Sequence, residues 1–348
     1  MRTENHNLFR VAIVGAASLK GKELKEVLEE RSFPATDIRL LDDNESLGQL
    51  ERVQDEVSFV QPVTREQFAN VDFTFFASDE DFTRANWKLA QQAGSAIVDL
   101  SYALENDPSV PLSAPWIERE LGVTAQLTLD SNRVMIAHPA AVTLALLLLR
   151  AQKAGAIRKA VATMFEPVSE RGRRGMDELH EQTVNLLSFQ QMPTKVFDAQ
   201  VAFNMISRYG GAASLPLESV ERRIGNHLRK LLDNRAALPA LTLVQAPVFH
   251  AHTFALYIEM EQPVAAGDLS QALAGEHVQV ARVPEDAPSN VNVAGKDDIL
   301  VALRRDSAPE NSHGLWIWAA VDNLRLAAIT AVDCANALAA VRPHGKVQ

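Results

Sequence analysis

One cysteine, Cys334, stands in 348 residues, which excludes a disulfide framework and a zinc site built on thiolates. Its neighbours in ITAVDCANALAAV place Ile329, Val332, Ala335 and Leu338 at helical spacing, so the thiol reads as a small buried hydrophobe. Long apolar runs are scarce as well. The longest nearly unbroken one, 139–149, falls well short of the roughly 20 residues that span a bilayer, and MRTENHNLFR carries no hydrophobic signal segment. Cationic excess is also missing. Lys and Arg number 34 against 44 Asp and Glu, a formal charge of −10, which argues against binding nucleic acid by neutralising phosphates. No internal repeat or low-complexity tract stands out. The expectation is an acidic cytoplasmic protein with neither membrane nor nucleic acid as partner.

What the chain does have is enough apolar residues, 47%, for a substantial core, and a length that suits about two domains. LFRVAIVG (8–15) reads as a strand ending in glycine, and SLKGKELKEVLEER (18–31) as the helix that follows. Further strands at 37–41, 71–77 and 95–100, with a helix over FTRANWKLAQQAG, predict a doubly wound parallel sheet. After Arg150 longer strand-like runs (159–168, 240–261, 299–306) alternate with helical stretches at 177–187 and 220–232. That texture predicts a second, α+β domain on a mostly antiparallel sheet. The tail 316–341 reads as strand, turn and closing helix. The fold class is α/β, with a second α+β domain.

Several motifs can carry chemistry. VGAASLKG (14–21) occupies the place of a glycine-rich dinucleotide turn, with Gly15 and Gly21 present and Ser18 at the middle approach position. Such a turn needs glycine where the backbone bends and nears a pyrophosphate, yet a purely structural βα turn uses it too. LLDDNES then places Asp42, Asp43 and Glu45 where a dinucleotide fold meets the adenosine ribose. Asp there favours NAD and repels the 2′-phosphate of NADP; a solvated acidic loop is the plain alternative. PVFHAHTF sets His250 and His252 two apart on a predicted strand, both facing one way. No third ligand has a convincing spacing, so acid/base work fits better than metal. The arginines of SERGRRGMDE (171, 173, 174) and ERRIGNHLRK can hold an anion, pair with surface carboxylates or meet a partner subunit.

IAHPAAVTLALLLL (136–149) has the layout of an active-site entrance: strand end, proline, small residues, apolar helix. A nucleophile belongs where the helix begins, but the positions read Pro139, Ala140, Ala141 and Val142.

Taken in order, RVAIVGAASLKGKELKEVLEERSFP, IRLLDDNESLGQ, IVDLSYALENDPSVPL, SERGRRGMDELHEQT, VAFNMI, APVFHAH, AGKDDILVALRRD and VDNLR make the chain resemble the aspartate-semialdehyde dehydrogenase family over nearly its whole length. The resemblance implies a Rossmann domain over 1–137 closed by a C-terminal helix at 323–348. It also implies an α+β domain over 138–322 that forms a homodimer, and NADP-linked chemistry on a β-carboxyl aldehyde. Family enzymes attack the aldehyde with a cysteine thiolate, pass hydride to NADP and release the acyl group to phosphate. Ala141 falls at that cysteine's position, and the only cysteine lies far away at Cys334.

By the same resemblance His252 is the acid/base histidine, with Ala251 replacing a glycine beside it. Gly15, Ser18, Gly21 and Asn323 fall at cofactor positions, with Glu45 in place of a basic 2′-phosphate contact. Glu105 falls where an arginine holds phosphate, His227 near the substrate-site acid and Arg223 near its basic partner. The set resembles the noncatalytic paralogues that some bacteria carry. It implies a binding, assembly or regulatory role, as a homodimer or beside an active paralogue. The alternative is an NAD(P)-dependent oxidoreductase of altered mechanism in amino-acid biosynthesis. NAD or NADP follows from the resemblance, with NADP disfavoured by the acidic loop, or no cofactor at all; no metal is expected.

Overall fold

The computed structural model describes residues 8–43, 45–53, 56–123, 132–282, 286–305 and 313–341. Asn44 of the acidic loop, Asp306 and the tail beyond Val341 lie outside them. The chain divides into two compact units, 1–137 with 327–348, and 138–326.

The first unit is built on β1 (Phe9–Val14), β2 (Ala35–Asp42), β5 (Gln61–Pro62), β6 (Phe73–Phe76), β7 (Ala96–Asp99), β8 (Leu112–Ser113) and β9 (Arg133–Ile136), beside a small ribbon of β3 (Leu50–Val53) and β4 (Glu56–Phe59). The seven strands lie in the order β5-β2-β1-β6-β7-β9-β8, and every pairing is parallel. All four residues of both β6 and β7 are buried, as mostly apolar strands of a parallel sheet covered on both faces should be. The helices are α1 (Leu19–Glu30), α2 (Glu80–Gln92) and α3 (Pro115–Glu120). Strand order reverses at β1, which has β2 on one side and β6 on the other. The crevice beyond the carboxyl ends of such a pair is where open α/β sheets bind ligands.

The second unit carries β10 (Ile157–Glu166), β11 (Ala240–Gln245), β12 (His252–Met260), β13 (Val278–Val280), β14 (Ile299–Arg305) and β15 (Gly314–Val321), in the order β11-β10-β12-β15-β14-β13. The three central pairings are antiparallel and the two edge pairings parallel. Its helices are α4 (Pro139–Ala154), α5 (Gly172–Leu187), α6 (Leu217–Leu232) and α7 (Ala266–Leu273). Helix α4, rich in Leu and Ala on every side, is buried from Pro139 through Ala151, the fate of a helix without a polar face. Along β12, His252, Phe254, Leu256, Ile258 and Met260 are buried, while the intervening residues are half-buried, so one sheet face is more open than the other.

Among the described residues the closing helix α8 spans Asn323–Val341, the rest of the 323–348 expected lying outside them. By length and composition it could cross a membrane, but most of it is buried in the protein. Cys334 is fully buried within it, and burial pushes its thiol well above the ordinary range.

Candidate functional site

The turn after β1 in the first unit has its own reasons for glycine. Gly15 has φ +85°, and a Cβ there would lie 2.4 Å from the Ser78 amide nitrogen, just past β6; a Cβ on Gly21 would lie 2.1 Å from the Gly15 carbonyl oxygen. Both glycines are therefore required by packing at the strand reversal, with or without a ligand. Ser18 is the N-cap of α1: its Oγ accepts the Gly21 N–H at 2.9 Å and donates to the Ala77 carbonyl at 2.9 Å. The serine in place of a glycine is thus a capping residue that ties α1 to the end of β6.

Asp42 turns inward. Its carboxylate accepts the amides of Ala17 (2.7 Å) and Asp43 (2.9 Å). Burial raises its pKa, against the lowering effect of those two N–H groups and with a further push from Asp43 and Asp79. The amides of Gly15 and Ala16 go to the Leu41 carbonyl, and that of Ser18 to Gly15. Five of the turn's N–H donors, those of residues 15–18 and 21, are therefore already used, and a buried carboxylate stands among them. The diphosphate of a dinucleotide binds free amide donors, so these five, as placed here, are not available to it. Lys20 is half-buried over the Tyr102 ring, 5.0 Å from its centre, and donates to the Leu100 carbonyl at 3.4 Å. Glu45 is exposed, and Glu105 is half-buried in the turn after β7.

The second unit gathers a buried polar cluster around the start of α4. Proline at its first position makes the preceding residue, His138, the N-cap. His138 Nδ1 accepts the Ala140 N–H at 3.2 Å, and the His138 N–H donates to His227 Nδ1 at 3.0 Å. An amide can only donate, so both Nδ1 atoms are unprotonated. Ala141 is fully buried in this first turn and presents only a methyl group. His227 lies on the apolar stripe of α6 with Val220, Ile224, Leu228 and Leu231, and so supports the α4 entrance from within. Arg223, one turn earlier, is half-buried.

His252 opens β12 and is fully buried. The expectation that His250 and His252 share a strand face does not hold. The strand starts only at His252, and Ala251 before it has φ +74°, which breaks the alternation and leaves His250 half-buried in a bend. That left-handed backbone is one glycine adopts readily and alanine does not.

Between the histidines sits Glu170, in the 3-10 turn Val168–Arg171 after β10. Its Oε1 lies 3.8 Å from His252 Nε2 and its Oε2 4.0 Å from His138 Nε2. The His138 and His252 rings are 5.6 Å apart. Asn323 donates to Glu170 Oε1 at 2.8 Å and to Ser169 Oγ at 3.1 Å, while its Oδ1 accepts the Ala251 N–H at 3.0 Å. Both its amide hydrogens are thereby used within this unit. Arg171 pairs with buried Glu166 at 2.8 Å and contacts the hydroxyl of Tyr209, which hydrogen-bonds Gln245. Burial pulls the Arg171 pKa down, but Glu166, Tyr209 and Glu170 outweigh it and raise it. Burial likewise pushes the Tyr209 phenol up.

The two arginine-rich motifs therefore split. Arg171 is internal, whereas Arg173, Arg174, Arg222 and Arg229 are exposed. Sequence reasoning missed His138, Glu170, Glu166 and Tyr209. Pro139 marked His138 as an N-cap, but nothing local marked the other three. Among the described residues no group of three or more His, Cys, Asp or Glu side chains is arranged to hold a metal ion.

The family model described as the semialdehyde dehydrogenase NAD-binding domain matches residues 10–125, and that of the semialdehyde dehydrogenase dimerisation domain matches 147–326. The chain belongs to the semialdehyde dehydrogenase family. Among curated relatives, this semialdehyde dehydrogenase homologue is 32% identical to the "USG-1 protein homolog" of Pseudomonas aeruginosa, over 93% of this chain and 96% of that one. It is 30% identical to "Aspartate-semialdehyde dehydrogenase 2" of Vibrio cholerae, over 95% and 97%. The crystal structure of Vibrio cholerae aspartate semialdehyde dehydrogenase II complexed with ASA superposes with a TM-score of 0.82 at 27% identity, covering 96% of this chain and 99% of that one.

Proposed function

We propose that this family member has no thiol-dependent dehydrogenase activity and acts through binding, assembly or regulation. The observation that carries the reading is Ala141: the first turn of α4 presents a methyl group, and the chain's single thiol, Cys334, belongs to the other unit and is fully buried. A methyl group cannot add to an aldehyde, and a thiol kept protonated by burial is inert. Weak or absent NADP binding agrees with this reading, because Asp42 fills the turn after β1 and Glu45 adds negative charge nearby; NADH is the better-tolerated cofactor if either binds. On this reading 1–137 with 323–348 serves as the nucleotide-type domain and 138–322 as the dimerisation domain. An assay of phosphate-dependent NADP reduction with aspartate semialdehyde tests it, and turnover at an ordinary enzymatic rate contradicts it.

A second reading, an oxidoreductase of altered mechanism, draws support from the buried group of His252, Glu170 and His138, since a carboxylate beside an imidazole is the usual support of an acid/base histidine. It requires that an activity be found first and that His252→Ala then abolish it.

The partner we propose is a second copy of the chain, held on the more open sheet face. Val161, Phe165, Ala255, Tyr257 and Trp316 are half-buried there and Trp318 is exposed, an aromatic composition suited to an interface. Membrane and nucleic acid are not proposed as partners, and the setting proposed is the cytoplasm. Recovery of mixed dimers with an active paralogue from native cells would favour regulation of that enzyme; recovery of homodimers alone counts against it.

A further inference from the structure

Glu170 raises a question that the missing thiol does not answer. Its side chain is only 5% exposed, and a buried carboxylate costs several kcal/mol unless its surroundings compensate. A hydrogen bond and three nearby basic groups surround it. Asn323 donates a hydrogen bond at 2.8 Å. His138 is held with Nδ1 accepting the Ala140 amide, so its ring proton sits on Nε2, the nitrogen 4.0 Å from Glu170 Oε2. His252 Nε2 lies 3.8 Å from the other oxygen. Arg171 adds its field from the adjacent residue while its own ion pair is made with Glu166. The Ala251 amide fixes Asn323 by donating to its carbonyl oxygen, which orients the amide nitrogen toward the carboxylate.

An amide donor, two imidazoles and a nearby guanidinium converging on one point are the parts of an anion site. We infer that the second unit contains a built site for a small carboxylate and that Glu170, a resident carboxylate, fills it from within. The turn that carries Glu170 is anchored at both ends: Val168 and Ser169 donate backbone hydrogen bonds to Val248 and Phe249, and Arg171 is buried against Glu166 and Tyr209. External carboxylates are thereby kept out of this position. The inference stands apart from the proposed loss of thiol chemistry, and either can fail without the other.

Removing the resident group should expose the site. In Glu170→Ala the head group is lost while the donors remain, so formate, the smallest carboxylate, should bind in its place. Thermal unfolding of the purified protein in sodium formate against sodium chloride at equal ionic strength and pH 7 reads this directly. The expected result is a saturable rise in Tm of at least about 2 °C for Glu170→Ala, with none for the wild type or for Glu170→Gln, whose amide still fills the space. Equal responses in all three proteins, or no response in folded Glu170→Ala, overturn the inference. If Glu170→Ala does not fold, the isosteric Glu170→Gln decides it by NMR of the His252 ring. Loss of a resident anion moves that imidazole's titration to lower pH, and an unchanged titration overturns the inference.

Discussion

The amide of His138 donates to Nδ1 of His227 at 3.0 Å, so the helix that begins where a family nucleophile would stand is held by a histidine on another helix. Leucine at 227 would fill the apolar stripe of α6 but leave the buried His138 N–H without its acceptor. His227→Leu should therefore lower stability by about 1–3 kcal/mol. His227→Gln, which keeps an acceptor, should lower it less. Urea unfolding of the two variants separates a supporting role from simple space filling.

Ser18 and Gly15 make opposite kinds of contribution to the turn after β1. Ser18→Ala removes an N-cap and should cost about 1 kcal/mol. Gly15→Ala forces a Cβ to within 2.4 Å of the Ser78 amide at φ +85° and should cost roughly 2–4 kcal/mol. Comparable losses in urea unfolding would show that the turn relaxes more freely than its packing implies.

Asp42 gives a pH dependence of known sign. Its folded pKa lies above the ordinary 3.8 because burial disfavours the charged form, so folding takes up a proton in the window between the two values. Its contribution to stability rises as pH falls through that raised value and levels off below the ordinary one. Asp42→Asn should remove this component, so on going from neutral to mildly acid buffer the variant should gain less unfolding free energy, or lose more, than the wild type. The same carboxylate stands among the turn's amides, so a fluorescence titration should find NADPH binding weak or absent, with NADH no worse.

Much of the first unit was legible because its cause is local. A strand ending in glycine followed by a helix with Leu24, Val27 and Leu28 on one face specifies a βα unit, and β1, α1, β6, α2 and β7 lie close to where the pattern puts them. The site was less legible because its causes are distant in sequence. Glu170 meets His252 across 82 residues and Asn323 across 153, and no periodicity encodes such meetings. His250 misled for a different reason: alternation predicts a strand, but the left-handed backbone at Ala251 is imposed by its surroundings, where a glycine would have announced it.

Ala141→Cys places a thiol in the first turn of α4, where the helix dipole lowers a thiol's pKa. Full activity should not return. Ser18, Glu45 and Glu105 are unchanged in that variant, and Glu170 still sits against His252. Wild-type-like family turnover from this one substitution would show that those four residues are compatible with catalysis.

The central claim is tested most directly by assaying the purified protein for phosphate-dependent NADP reduction with aspartate semialdehyde. Parallel assays with NAD and with an active family enzyme as control complete the measurement. The account predicts no turnover above background with either cofactor; sustained turnover at an ordinary enzymatic rate, about 1 per second or faster, would contradict it.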